Sequence, residues 1–174
     1  MEHWPNPVIE AIITRRSIRH YIRRDVDKSL IDLLLKSAMY APSARNEQPW
    51  HFIAIDQAEL FEKIMKVHPY ASMLSEAGAA ILVCGDEMLE LSKGYWPVDC
   101  SAATQNILLA AHSLGLGAVW LGVYPRSERM DGIREIFSLP DHIHPFSLIS
   151  IGYPAEEKEV PARFKAERIR WNLW

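Results

Sequence analysis

From about Val98 to Leu114 the sequence places apolar residues on more than one face of a helix: Ala102, Ala103, Ile107, Leu108, Leu109, Ala110, Ala111 and Leu114. A surface helix confines its apolar residues to one stripe, so this one requires burial on several sides. Its four alanines permit close backbone approach. A strand layer to cover it is present in the same sequence. Ala79-Ala80-Ile81-Leu82-Val83-Cys84 forms a continuous apolar run between Gly78 and Gly85, the pattern of a strand buried on both faces. At 174 residues the chain is long enough to build one domain around such a pair without disulfide help.

The other elements follow from caps and periodicity. Asn6 reads as an N-cap with Pro7 at the first helical position, opening a helix through about Thr14 with Val8, Ile9, Ile12 and Ile13 at helical spacing. Asp27 caps a second helix that runs through Leu30, Ile31, Leu33, Leu34 and Leu35 to about Tyr40, before Pro42. Trp50 to Ile55 is expected as a strand and residues 57–67 as a short amphipathic helix. Gly115 and Gly117 stop the apolar helix, one of them in the left-handed C′ conformation. A strand at Ala118–Val123, a helix at 127–137 and a last strand at Phe146–Tyr153 complete the pattern. Pro140, Asp141 and Pro145 predict that His142-Ile143-His144 is a loop, and no metal site is expected there. Strands and helices mix without a strict βαβ rhythm, which predicts an α+β fold.

Composition excludes some functions. A net charge of −3 argues against general nucleic-acid binding, which needs a basic balance. Cys84 and Cys100 have neither CxxC spacing nor further partners, as expected for buried thiols in a reducing compartment. Met1-Glu2-His3-Trp4-Pro5 lacks a cationic start followed by an apolar run, so no signal peptide is expected. Apolar stretches fall short of the roughly 20 residues of a membrane span. A soluble cytoplasmic protein is the expectation. The stretch after Gly152 is rich in proline and charge and ends Trp171-Asn172-Leu173-Trp174. Such tryptophans call for burial, against this domain or a partner subunit.

Three segments carry chemistry. Five arginines (15, 16, 19, 23 and 24) fall within ten residues of a net-acidic chain, with Ser17 among them. Arg15 and Arg16 also suit the C-terminal dipole of the first helix. As a group with Ser17 they suit a phosphate, which arginine grips in bidentate fashion and a hydroxyl supplements. Ala41-Pro42-Ser43-Ala44-Arg45-Asn46-Glu47-Gln48-Pro49-Trp50 sets amides at the mouth of a strand, where they match the donor–acceptor edge of a pyrimidine-like ring. Gly115 to Gly122 is no dinucleotide fingerprint, because it follows a helix and precedes a strand. Gly122 at a strand end still lets backbone approach a flat ring. No nucleophile motif, P-loop or zinc spacing is present, so no catalytic residue and no metal ligand is assigned.

In this order and spacing, Arg15-Arg16-Ser17-Ile18-Arg19, Ala41-Pro42-Ser43 through Asn46, Gln48-Pro49-Trp50, the Asp99–Gly117 helix, Trp120-Leu121-Gly122 and Ile151-Gly152-Tyr153-Pro154 with Arg163 resemble the nitroreductase family of FMN-dependent oxidoreductases. The likeness spans nearly the whole chain. It implies a single domain over residues 1–174 with a mostly antiparallel central sheet surrounded by helices. It also implies a domain-swapped homodimer in which the tail, 154–174, wraps the partner. Arg15, Ser17, Arg19 and Arg163 would hold phosphate and ribityl of a tightly bound FMN, with Arg16 as a backbone or ring contact and Lys165 as a second basic residue of the tail. Pro42, Ser43 and Asn46 would come from the other subunit, and Leu121 and Gly122 would lie beside the ring near N5. The stretch between Lys66 and Tyr95 is compact, so the lid of larger family members and its substrate contacts are not carried over.

The resemblance further implies a ping-pong oxidoreductase. NAD(P)H as transient donor reduces the flavin, and a small acceptor such as a nitroaromatic or quinone then takes the electrons in the same cleft. The flavin makes the bonds while the protein positions and polarises it, so no acid–base dyad is required. The alternatives are a related flavin reaction (reductive dehalogenation or flavin fragmentation) and a flavin-binding protein with little turnover. Neither nucleic acid nor membrane is an expected partner.

Overall fold

A computed structural model describes residues 6–174, leaving the expectation drawn from Met1–Pro5 outside the described residues. The first two helices start where side chains cap them. Asn6 Oδ1 accepts the N–H of Val8 at 2.8 Å and opens α1 (Pro7–Thr14). After the short strand β1 (Tyr21–Ile22), Asp27 Oδ1 accepts the N–H of Ser29 at 2.8 Å and opens α2 (Lys28–Met39). β2 (Trp50–Ile55), α3 (Ala58–Val67), β3 (Ala79–Asp86) and α4 (Trp96–Ser113) follow. Leu114 closes α4 and Gly115, at φ 74°, takes the left-handed position after it, the conformation glycine adopts without steric cost. β4 (Gly117–Gly122), α5 (Ser127–Phe137) and β5 (Ile143–Pro154) complete the order.

The sheet grows around β3, whose eight residues are all buried. It pairs with β2 on one side and β5 on the other, and β5 also pairs with β4 and, at its end, with β1. Every ladder is antiparallel; the one parallel contact among the described residues is an isolated bridge between Ser17 and Ala118. The fold is α+β. Alternation along β3 divides the core in two. Ala79, Ile81 and Val83 pack under α2 and α4, whereas Ala80, Leu82 and Cys84 pack with α3 and α5. Thr104 and Ser147 hydroxyls, both buried, bond at 2.8 Å and tie α4 to β5.

One expectation is corrected. Ile143 and His144 do not lie in a loop but begin β5, with Pro145 opposite Cys84. Proline has no N–H for a ladder. The register slips between Val83 and Cys84, and such an irregularity is where a strand tolerates proline.

Burial is uneven. α1 buries none of its residues, and Val8, Ile9 and Ile12 are exposed. Leu109 and Ala110 of α4 are only half-buried. Beyond β5 the chain makes one short 3-10 turn, Ala166–Arg168, and leaves Phe164, Trp171, Leu173 and Trp174 more than 80% exposed. The tryptophans are therefore not packed on this subunit's core. No helix among the described residues is long and apolar enough to cross a membrane.

Candidate functional site

Where α1 ends, Arg15 and Arg16 stand together and the tail brings Arg163 to them. Burial, then the charges of Arg16 and Arg163, pull the Arg15 guanidinium below its ordinary range; burial and Arg163 do the same to Arg16. Among the described residues no carboxylate pairs with any of the three. Arg16 caps the helix by donating to the carbonyl of Ile13. Yet Arg15 Nη1 and Arg16 Nε are buried with no hydrogen-bond partner. Arginine does not shed its proton in a protein, so a concentrated, unsatisfied guanidinium cluster fits an anion with several acceptor oxygens.

The backbone that carries this cluster is fastened at several points. Ile18 N–H donates to Ala118 O at 3.1 Å, holding the segment against β4. The buried Tyr21 hydroxyl donates towards Ile18 O (2.7 Å) and Ser150 O (3.2 Å), and burial pushes its pKa up to about 12. Glu156 accepts the N–H of Arg19 at 2.6 Å, while Lys158 donates to Ser17 O at 2.8 Å. Arg19 is exposed and Ser17 half-buried. Tyr21, Glu156 and Lys158 were not identified from sequence. Only the change to a proline- and charge-rich tail hinted at the last two.

Pro42, Ser43 and Asn46 occupy a loop at the other end of α4. Arg45, Asn46 and Gln48 have φ of 51°, 57° and 48°, left-handed values that non-glycine residues rarely adopt and that cluster at functional sites. Internal bonds sustain them: Gln48 N–H donates to Ser43 Oγ at 3.0 Å and Gln48 Nε2 to Asn46 Oδ1 at 3.0 Å. Ala44 N–H donates to Asp99 at 3.0 Å, anchoring the loop on α4. Glu47 accepts the N–H groups of Leu91 and Ser92. Burial pushes the Asp99 carboxyl up against the pull of the Ala44 N–H, and the neighbouring Glu47 carboxyl pushes the same way.

The two clusters do not meet. Thr14 reaches His112, near the end of α4, at 2.8 Å, whereas the Ser43–Asn46 loop sits on Asp99. Thirteen residues of helix separate these anchors, about 20 Å. Leu121 and Gly122 lie at the far end of β4 from the Ala118–Ile18 contact, roughly 13 Å along the strand. Leu121 is buried and Gly122 half-exposed. A Cβ placed at Gly122 would meet no atom within 4 Å. This glycine is thus not demanded by internal packing; it leaves a bare backbone face.

Other groups are accounted for within the fold. Cys84 and Cys100 are buried and free, and burial pushes the Cys84 thiol up to about 12 and Cys100 higher, so neither is a ready thiolate. His144 pairs with Glu87 at 2.9 Å and stacks on Trp96.

The Nitroreductase family model matches residues 12–77 and 69–153. A candidate NADH dehydrogenase/NAD(P)H nitroreductase of Methanothermobacter thermautotrophicus is 55% identical over 167 residues, which is 96% of this chain and 87% of that protein. A structure bearing the same description, from Parabacteroides distasonis, superposes with a TM-score of 0.93 at 42% identity, covering 97% and 99% of the two chains. A candidate nitroreductase from Desulfovibrio desulfuricans, solved in complex with FMN, superposes with a TM-score of 0.85 at 31% identity over 98% of this chain and 99% of that one.

Proposed function

This chain belongs to the nitroreductase family, and from that premise we propose that it is an FMN-dependent NAD(P)H oxidoreductase acting on small oxidised substrates. The observation that carries the proposal is the Arg15–Arg16–Arg163 cluster, charged, unpaired and left with buried donors that lack acceptors. Arg15, Arg19, Arg163 and the Ser17 hydroxyl would hold the phosphate and ribityl. Leu121 and Gly122, farther along β4, would face the ring. Bound there, FMN supplies the hydride-transfer chemistry.

This chain's residues then act by position and charge. The arginines neutralise the phosphate and fix the cofactor's register along β4. The bare backbone at Gly122 admits a planar ring at close range. The donor nucleotide leaves before the acceptor enters, so one open cleft serves both.

The 20 Å between the two ends of α4 supports a composite site, in which Pro42, Ser43 and Asn46 of one subunit complete the arginine cluster of its partner. The exposed apolar residues of α1 and the tail support the same homodimer: a single domain over residues 1–174, with 154–174 wrapping the partner, working in the cytoplasm.

The test is a visible spectrum and an FMN titration of the purified protein, followed by anaerobic addition of NADH or NADPH. Flavin absorbance that bleaches with either nucleotide and returns with an oxidant is expected. A colourless protein that takes up no added FMN would overturn the proposal. Bound FMN that neither nucleotide bleaches would make this a flavin-binding protein instead.

A further inference from the structure

The carbonyl of Gly122 is gripped twice. His68 Nε2 lies 3.1 Å from it and Arg129 Nη1 donates to it at 2.7 Å, so both oxygen lone pairs are used. His68 is 1% exposed. Its Nδ1 accepts the N–H of Tyr70 at 3.3 Å, which leaves the ring proton on Nε2 as the donor to Gly122. Burial, reinforced by the charge of Arg129, holds the imidazole below its ordinary range and so neutral. Arg129 is in turn seated over the Tyr70 ring at 5.3 Å. Two residues from α5 and the end of α3 thus converge on one peptide oxygen, with Tyr70 supporting both.

Strand geometry says where the other polar group of Gly122 points. Ala118 turns its carbonyl away from β5, towards Ile18, and residues two and four positions on share that side. Gly122 does the same with its carbonyl. Its N–H, on the same edge of β4, donates to no residue of the ladder. The bare face noted above lies alongside.

We propose that His68 and Arg129 are positioning residues that lock the backbone of Gly122 so that its outward N–H serves as the hydrogen-bond donor to N5 of the flavin. This rests on the proposed function, which sets Gly122 against the ring. The clamp offers two donors where one would satisfy the peptide, and thereby fixes the residue's rotation at the end of the strand. A fixed donor at N5 stabilises the electron density that arrives there without reorganisation.

The test loads the full-length protein with FMN labelled with 15N at N5 and records the N5 resonance, together with FMN affinity by fluorescence titration. In His68→Leu and in Arg129→Met the resonance moves downfield, as a nitrogen that has lost a hydrogen bond does. In His68→Gln, whose amide can still donate to the Gly122 carbonyl, it stays near the parent position. FMN affinity falls by no more than about tenfold in each, the share of one hydrogen bond. Should His68→Leu fail to fold, Arg129→Met, at a half-buried site on α5, decides alone. An N5 resonance unmoved in the folded clamp variants would overturn the clamp and leave the proposed function standing. A parent that takes up no FMN would overturn both.

Discussion

The two ends of α4 pose the same physical problem and solve it in opposite ways. At the C-terminal end, Arg15 and Arg16 keep buried nitrogens with no acceptor. At the N-terminal end, Glu47 and Asp99 each keep a buried carboxylate oxygen with no donor. Of two neighbouring carboxyl groups, one can relieve the repulsion by taking up a proton more readily, and burial and the nearby Glu47 push the Asp99 carboxyl in that direction. Guanidinium groups have no such recourse, because they do not deprotonate in proteins. The acidic end can relieve its repulsion by taking up a proton as pH falls, while the basic end can be neutralised only by an anion. The carboxyls brace the Ser43–Asn46 loop, whereas the guanidiniums suit an anionic ligand, a difference that counting unpaired atoms would miss.

The largest effect expected from breaking this comparison is at the basic end. Arg15→Ala or Arg19→Ala removes a charge-assisted phosphate contact worth about 1.5–3 kcal/mol. FMN affinity, measured by titration, should fall roughly ten- to hundred-fold. If both variants hold FMN as tightly as the parent, the cluster is not the phosphate site.

Next comes the acidic end. Asp99→Asn keeps an oxygen for Ala44 N–H, removes one of the two neighbouring carboxyl groups and offers Glu47 an amide donor. At neutral pH it should raise Tm by about 2–4 °C, the equivalent of roughly 1 kcal/mol. FMN affinity should change little. A Tm below the parent's would show that the Asp99 carboxyl is not a source of repulsion at this end of α4.

The smallest effect separates the two ends by pH. Asp99 binds its proton more tightly folded than unfolded, so its contribution to stability grows as pH falls towards its raised pKa. His112 is the reverse. Burial, then Arg15 and Arg16, hold it low, so its contribution is complete above the ordinary histidine value of about 6.5 and is lost as pH falls below it. Thermal melts from pH 7.5 to 5 should therefore respond oppositely in the two variants. Asp99→Asn removes a gain on acidification and His112→Gln removes a loss, the latter by under about 2 °C. Matching slopes in the two variants would contradict the opposed signs.

Much of the fold was legible because local chemistry and tertiary demand agree. Asn6 and Asp27 cap the helices they were expected to cap, Gly115 takes the left-handed stop, and Ala79–Cys84 is a strand buried on both faces. The exception at His142–His144 has a tertiary cause. Prolines signal loops in isolation, and only the slipped register opposite Cys84 makes room for Pro145 inside β5. Of the candidate site, the arginines, Ser17 and Gly122 were legible as residue types suited to a phosphate and a flat ring. His68, Arg129, Glu156 and Lys158 were not, because each acts on a backbone carbonyl or N–H, remote in sequence for all but Arg129, and no motif records such a bond.

The amino-acid sequence by itself determined most of the segments that are helix, strand or turn, and that a net-acidic chain carries one concentrated basic cluster. Periodicity, caps and charge are local properties and survive without a fold. The tertiary structure alone decided that Arg163 joins Arg15 and Arg16, that the Ser43–Asn46 loop lies a helix length away from them, and that Gly122 is clamped from two helices. These are spatial relations that no local pattern encodes, set only when the two core layers close on β3.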